Sequence, residues 1–556
     1  MRIAALHIKN FRGIREARIQ FPDNTRIICL IGPGDSNKST LLNAIHYALW
    51  PSSYVPVSHT DFYQCNPDNE ISIELTLTEV PEFLLTTDKF GYYLRRVAGG
   101  GYEEPVDGED VCLTIRFQVD SSLEPQWSVV CDSLEPKYIS ASDRRKLPFG
   151  RVGDGYTNDL EWGRNSVLHK YMDAKTELKR SLNQILGMTM GMEGPDLLQI
   201  RNALDSCAKN FGVGISDDIS SRFVYRSSTA LGSFGLFDGE TPLFQRGTGT
   251  QRLLSMGLNI NVHEKGTVLL IDEIESGLEP YRLRTLINEL RNRFEEDGQI
   301  IMTTHSPTSL VELTIEEIFR VKSSAGNVTV LSPFSGNKDL DCDMQRTIRS
   351  EPEAFLCHRL ILCEGSTELG FMRAYDDYLR NSRGFYMARN GVYYADGAGS
   401  NYFRRATILR NLGYDLCLLL DNDRPDDKEQ RDRLTEMGVP IFSWGENMAI
   451  EDQIFTVAPK DALIEMIRDV PDDTLSKYRE SILADLEENE SMKYRLELAA
   501  KAKDESWFKS ITKGQVMGEA FFRHIDSVPR DSKIHTELDR LEGWITSDGG
   551  NTDEQT

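Results

Sequence analysis

The segment Arg26–Ile31 reads as a buried strand that runs straight into Gly32-Pro33-Gly34-Asp35-Ser36-Asn37-Lys38-Ser39-Thr40, and from Ser39 to Leu49 apolar residues recur at helical spacing. A strand, a glycine-bearing loop and a helix start in this order leave few folds open. Backbone N–H groups of the loop and of the first helical turn point into one concavity, where the helix N-terminus adds partial positive charge. Such a concavity suits phosphate oxygens. Lys38 would neutralise the outer phosphates and Ser39 would offer a hydroxyl to Mg²⁺, with Gly32, Gly34, Asn37 and Thr40 lining the cradle. Asn37 stands where the pattern places glycine. Asparagine tolerates positive φ better than most residues with a side chain, so phosphate binding is expected to survive there, and rapid turnover less so.

Four further features follow in a fixed order. Arg246-Gly247-Thr248-Gly249-Thr250-Gln251-Arg252 is a glycine-rich turn opening a helix. Val268-Leu269-Leu270-Ile271 is an apolar strand ending in Asp272 and Glu273. Asp272 can hold Mg²⁺ through water, and Glu273 can polarise an attacking water. Ser276-Gly277-Leu278-Glu279-Pro280 makes a tight turn, and His305 sits at a strand end in Thr304-His305-Ser306-Pro307. Together these resemble the Walker A, signature, Walker B, D-loop and switch-histidine elements of ABC-type ATPases. In that class Gly247, Gly249 and Gln251 would contact the γ-phosphate of a nucleotide held by a second subunit. Two heads must then meet, so the resemblance implies a homodimer or higher homo-oligomer.

The chain has 556 residues, 40% hydrophobic and 27% charged, and a formal net charge of −24. That length exceeds one ordinary core and calls for two or three domains. No apolar run approaches the roughly 20 residues of a membrane span, no signal peptide is visible, and the nine cysteines form no CxxC pair. These features point to a cytoplasmic protein with reduced thiols. The acidity argues against passive DNA binding. It agrees with a site in which metal ions bridge carboxylates to phosphate.

A second acidic constellation lies downstream. Leu360-Ile361-Leu362-Cys363 is a strand ending in Glu364, followed by a glycine turn and Glu368 one helical turn on. Leu416–Leu420 ends in Asp421-Asn422-Asp423, and Tyr394-Ala395-Asp396-Gly397 is a further strand and turn. Acids on adjacent parallel strand tips converge at one edge of a sheet, and several oxygen ligands suit Mg²⁺ or Mn²⁺. The alternative is that Glu364 and Glu368 only cap a helix N-terminus.

The arrangement resembles the Toprim domain. A Toprim block after an ABC-type head resembles the OLD (overcoming lysogenization defect) family of ATP-dependent nucleases, best over residues 1–80, 240–330 and 355–455. The fold class expected is therefore α/β and multidomain: an ABC-type P-loop ATPase head with an inserted helical dimerisation segment, then a Toprim α/β domain. The boundaries read as 1–160 and 236–335 for the two lobes of the head, 161–235 for the insertion, 350–540 for the Toprim domain and 541–556 for a disordered tail, with a polar linker around 332–343. The resemblance implies metal binding by Glu364, Glu368, Asp421 and Asp423. It also implies a third acid, for which Glu446, Glu451 and Asp452 are candidates and Glu451 is favoured. A lysine that stabilises charge in the transition state is implied too, Lys513 or its rival Lys509. The implied cofactors are ATP and Mg²⁺ or Mn²⁺. The implied activity is cleavage of nucleic acid, DNA the favoured substrate, in antiphage defence, with a companion protein or retron-type nucleoprotein among the partners and no membrane. The competing reading is an ABC-type nucleotide sensor or scaffold that recruits a partner effector. An SMC-like repair ATPase is disfavoured by the absence of long heptads.

Overall fold

The computed structural model describes residues 1–98, 101–103, 111–152, 160, 195–215, 219–224, 233–262, 266–397, 399–471, 475, 478–489 and 491–547. It divides into two compact units, Met1–Asp341 and Cys342–Thr556.

The first unit is built on a 12-stranded sheet. Its parallel part runs, in spatial order, Phe149–Val152, Val268–Ile271, Gln299–Thr303, Ile27–Ile31 and Ile318–Ser324. Val268–Ile271, Gln299–Thr303 and Ile27–Ile31 are buried at every residue. Strands covered on both faces read as continuous apolar runs, and this is why the strands that carry the candidate phosphate loop and the Asp272–Glu273 pair were visible in the sequence. Beyond Asn327–Leu331 and Ile14–Gln20 the sheet becomes antiparallel through Arg2–Phe11, Ile71–Thr78, Leu113–Val119, Pro125–Cys131 and Leu134–Tyr138. Leu113–Val119 alternates buried and half-buried residues, as a layer covered on one face requires. The helix Lys38–Ala48 lies on this core through Leu41, Leu42, Ala44 and Ile45.

Two expectations need correction here. The stretch 161–235 is not helical throughout. Its described part holds the helix Pro195–Asn210, and also Ile219–Val224 paired antiparallel with Ser233–Asp238. Residues 161–194 of the expected helical insertion lie outside the described residues, as does the tail beyond Ser547. The segment 332–343 is also not a simple linker, because the helix Lys338–Ser350 begins inside it. Only one stripe of that helix is apolar and buried, at Met344 and Ile348, so its composition reads as loop. Asp341 accepts from Ser335 N at 2.9 Å and from Ser335 Oγ at 2.8 Å, which turns the chain into the helix.

The second unit carries a four-stranded parallel sheet in the order Val392–Asp396, Arg359–Cys363, Asp415–Leu420, Ile441–Ser443. All the loops that leave the strand C-terminal ends therefore open on one edge. The helix Ser366–Tyr378 starts at that edge and lies in backbone contact with the helix Ile511–Arg523. A Cβ on Gly370 would stand 2.2 Å from Ile511 O, and one on Gly514 2.4 Å from Thr367 O. Thr367 Oγ1 donates to Phe508 O at 3.2 Å. These glycines bring the two axes closer than side chains allow, and they fix the helix turn that bears Glu368.

Two alanine substitutions separate this contact from helix propensity. Glycine to alanine inside a helix gains about 1 kcal/mol of intrinsic propensity. Gly543, in the helix Lys533–Thr546, has open space around a would-be Cβ, so G543A is expected to raise stability by about 0.5–1 kcal/mol. G514A is expected to lower it by about 1–2 kcal/mol net, since overpacking outweighs the propensity gain. Urea unfolding of the two variants checks the opposite signs.

Candidate functional site

In the first unit the loop after Ile27–Ile31 closes on its own lysine. Lys38 Nζ donates to Gly32 O at 2.9 Å, Pro33 O at 2.7 Å and Ser36 Oγ at 3.1 Å. Burial lowers the Lys38 pKa to about 8, against the opposing pull of Asp272, Asp35 and Glu275. Gly32 has φ +144, and a Cβ there would stand 2.7 Å from Val321 O, so glycine is required. Gly34 is exposed in open space, Ser39 is exposed and Thr40 is half-buried. Asn37 takes φ 69, ψ 20, the left-handed conformation expected at a glycine position. Its Nδ2 donates to Ser323 Oγ at 3.0 Å, and its Oδ1 lies where a Cβ on Gly13 would be, 2.4 Å away. The side chain that replaces glycine thus anchors the loop to two neighbouring turns.

Asp272 is the hub of this site. Its Oδ1 accepts from Ser39 Oγ at 3.0 Å and from Thr303 Oγ1 at 2.7 Å. A cation ligated by the Ser39 hydroxyl would have the Asp272 carboxylate beside it, which is the donor set a magnesium nucleotide needs. Thr303 Oγ1 also accepts from Glu273 N at 2.8 Å. Glu273 itself is exposed, with φ 48. His305 N donates to Glu275 Oε1 and Thr304 Oγ1 donates to Glu275 Oε2, each at 2.6 Å. Glu275 is a brace that sequence reading missed, since a third acid so close to Asp272–Glu273 carries no signal of its own. Burial, with Lys38 adding to it, holds the His305 pKa below its ordinary value, against the opposing pull of Glu275, Glu273 and Asp272.

At the glycine turn, Gly247 and Thr248 are exposed at the start of the helix Thr248–Val262. A Cβ on Gly249 would stand 2.3 Å from Gly277 O. Gln251, expected to face a nucleotide, is turned inward. It is buried, and its Nε2 donates to Phe244 O at 2.9 Å and Arg246 O at 2.6 Å. There the amide braces the turn.

In the second unit the acids stand at the strand C-terminal edge. Glu364 Oε2 accepts from Asp421 N at 3.0 Å, and Arg424 Nη2 lies 3.6 Å from Glu364 Oε1. Glu368 Oε2 accepts from Gly365 N at 3.0 Å, and Asp421 Oδ1 accepts from Ile450 N at 2.9 Å. Glu451 is 4% exposed in the first turn of the helix Ile450–Val457. Burial raises the Glu368 and Asp421 carboxyls well above their ordinary range. For Glu368 the charges of Asp421, Glu451 and Glu364 add to this, and for Asp421 those of Glu364, Glu451 and Asp423. Burial raises Glu364 and Glu451 as well. The structure thus brings Glu364, Glu368, Asp421 and Glu451 within electrostatic reach of one another, with Asp423 exposed beside them. Of the other candidates for the third acid, Glu446 is exposed, and Asp452 is held by Ala449 N at 3.0 Å and Lys503 Nζ at 2.6 Å.

Lys503 and Lys509 are the cations that act on Glu451. Lys513 occupies the first turn of the helix Ile511–Arg523, its N–H donating to Ser510 Oγ at 3.3 Å. Lys503 was missed because nothing distinguishes it within a charged helix. Asp396, at the tip of the adjoining strand, was quoted in the sequence but not assigned; its Oδ2 accepts from Ser366 Oγ at 3.1 Å. Among the described residues no three acids, cysteines or histidines form a ready-made metal cage. Mg²⁺ takes one or two carboxylates and completes its shell with water and substrate phosphate, so an all-oxygen, negatively charged edge of this kind fits such an ion without a cage.

Two comparisons with protein families bear on the first unit. Residues 5–118 match the family described as "AAA domain", and residues 227–312 match "AAA domain, putative AbiEii toxin, Type IV TA system". The first span holds Lys38 and the second holds Gly247, Asp272 and Glu273. No curated protein matches the chain. Solved structures with similarity include an SMC head bound to the C-winged helix domain of ScpA, at 14% identity and TM-score 0.39, covering 60% of this chain and 98% of that one. The SMC head domain from Thermotoga maritima gives 13%, TM-score 0.32, and coverage of 60% and 99%. An Smc head with extended coiled coil from Pyrococcus furiosus, bound to the C-terminal domain of ScpA, gives 14%, 0.38, and 62% and 99%. At such scores these likenesses carry no weight, and the assignment rests on the family matches and the loop geometry. Two stretches of the first unit thus match models of AAA-type ATPase domains, and its loop has the geometry of a P-loop. Among the described residues no helix is long and apolar enough to cross a membrane.

The depressed Lys38 pKa has a measurable consequence. With no nucleotide the amine titrates near pH 8, whereas an adjacent triphosphate would hold it protonated. Binding then takes up a proton above pH 8, and ATP affinity is expected to fall there by up to about tenfold per pH unit. Equilibrium titration with ATP from pH 7 to 9.5 checks this, and a flat profile contradicts it.

Proposed function

We propose that the chain is an ATP-regulated, divalent-metal-dependent endonuclease that works as a homodimer or higher homo-oligomer. The observation that carries this reading is the convergence of buried Glu364, Glu368 and Glu451 and half-buried Asp421 at the edge of one parallel sheet, within reach of one another's charge. Carboxylates buried together without matching cations are costly, and divalent metal ions offset that cost. The resemblance to the Toprim and OLD families supports the same reading. The net charge of −24 is consistent with metal ions helping to bring nucleic acid phosphate to this edge.

Glu364, Glu368, Asp421, Asp423 and Glu451 would hold Mg²⁺ or Mn²⁺, which when bound supplies Lewis acidity toward a phosphodiester and an acidified water. Lys503 and Lys509 act electrostatically on Glu451 and would balance charge on the substrate phosphate, with Lys513 as the alternative. In the head, Lys38 would neutralise the triphosphate, Ser39 and Asp272 would hold its magnesium, Glu273 would orient the attacking water, and His305 would offer a hydrogen bond. Asn37, fastened to Ser323, favours a loop that binds ATP and turns it over slowly. The head would then act as a control element, and the exposed turn at Gly247–Thr248 would reach the nucleotide of a second copy. DNA as substrate and antiphage defence as role follow the family resemblance, as does a companion protein or retron-type nucleoprotein.

A non-catalytic sensor or scaffold is the second reading. It is favoured by the backbone N–H bonds that already engage Glu364, Glu368 and Asp421 as caps. Supercoiled plasmid incubated with Mn²⁺ or Mg²⁺, with and without ATP, separates the two. The nuclease reading predicts cutting by the wild-type chain that E364A and D421A each reduce by more than the ~10–100-fold that loss of an outer-shell partner costs. Cutting that persists in both variants, or no cutting by the wild type under any of these conditions, supports the scaffold.

A further inference from the structure

We infer that Arg252 is a positioning residue for ATP turnover, tying the glycine turn at Gly247–Gln251 to the backbone of Asp272 and Glu273, so that contact with the exposed tip of the turn sets the aim of Glu273. The inference rests on the reading of Glu273 as the residue that acts on water.

Arg252 is 2% exposed and lies in the helix Thr248–Val262, whose first residues form the turn. Its Nη2 donates to Asp272 O and to Glu273 O, both at 2.5 Å. A charged donor shared by two successive carbonyls fixes the orientation of both peptide planes. Glu273 needs such fixing, because its φ of 48 lies in the left-handed region that residues with a side chain rarely hold. The strain persists only where surroundings over-determine it. Thr303 Oγ1 takes the Glu273 N–H, and Arg252 takes the Glu273 carbonyl. The peptide units on both sides of the strained residue are thus held, one by the neighbouring strand and the other by the helix of the turn.

The turn and the loop after Glu273 also meet directly. Gly249 leaves no room for a Cβ against Gly277 O, and Thr248 Oγ1 is 3.1 Å from the position of a Cβ on Gly277. Gly277 has φ 73, so its conformation too depends on lacking a side chain. A displacement of the exposed Gly247–Thr248 tip therefore reaches Glu273 along two short routes: through the Arg252 guanidinium, and through the Gly249–Gly277 contact. A nucleotide held by a second copy, seated on that tip, would align the catalytic carboxylate of the copy that touches it.

The test uses the full chain and four variants, R252Q, R252K, G249A and E273Q, with ATP affinity and steady-state turnover measured separately. The expected result for R252Q is a fall in kcat of at least about tenfold with ATP affinity within about twofold of wild type. R252K, which keeps a charged donor for the carbonyls, is expected to recover part of that loss. G249A, which forces the turn off Gly277, is expected to lower kcat in the same direction. Wild-type kcat in both R252Q and R252K overturns the inference, and so does a loss of ATP affinity in step with kcat, since a merely structural arginine would affect both. If R252Q does not fold, R252K decides alone, between reduced kcat with unchanged affinity and no change. E273Q tests the underlying reading on its own: turnover that survives in E273Q removes the role of Glu273, whatever the arginine variants do.

Discussion

Carboxylates buried at the tips of parallel strands carry charge that a fold must either satisfy or hold ready for a cation, and both units of this chain are arranged around that constraint. A parallel sheet sends all its strand C-termini to one edge, so acids that follow the strands are forced together. In the first unit the charge of Asp272 is met by two hydroxyls, Ser39 and Thr303, with Lys38 folded into the adjoining loop. In the second unit Glu364, Glu368, Asp421 and Glu451 meet mainly backbone N–H groups and one another, and their carboxyls are pushed up accordingly. One edge is balanced within the protein; the other is left short of positive charge.

That difference accounts for the division of labour proposed above. The ATPase head is a closed hydrogen-bonded assembly. Thr303 bridges Asp272 and Glu273, Glu275 bridges Thr304 and His305, and Arg252 fastens the glycine turn to the same strand end. These bonds link the strand ends and the glycine turn into one network, as the proposed control role requires. Asn37 adds to this by fastening the loop to Ser323. The acidic edge of the second unit rests on a backbone-to-backbone helix crossing at Gly370 and Gly514, which holds Glu368 where burial and like charge keep it costly.

Much of this was legible in the chain because its signals are local. An apolar run that ends in acids, as at Ile271-Asp272-Glu273 and Cys363-Glu364, contains both the strand and its functional tip in a few residues. A glycine loop between a strand and a helix does the same for Lys38. The features that escaped depend on partners distant in sequence. Asn37 meets Ser323 and Gly13, Lys503 meets Asp452, and Arg252 meets Asp272 and Glu273, and no periodicity encodes such pairs. Gln251 was read as a contact to the nucleotide of a second subunit because of the motif it resembles, and here its amide donates to two carbonyls of the preceding turn. The segment 332–343 read as a linker because a helix buried along one stripe has a largely polar composition.

The central claim is that the acids of the second unit form a metal site. The most direct measurement is Mn²⁺ binding without nucleotide, followed by electron paramagnetic resonance of the free ion, for the wild-type chain and for the E364A/D421A double variant. The account predicts Mn²⁺ binding in the wild type that is lost in the double variant while the ATPase head still binds ATP. Equal Mn²⁺ binding by the two proteins would contradict it.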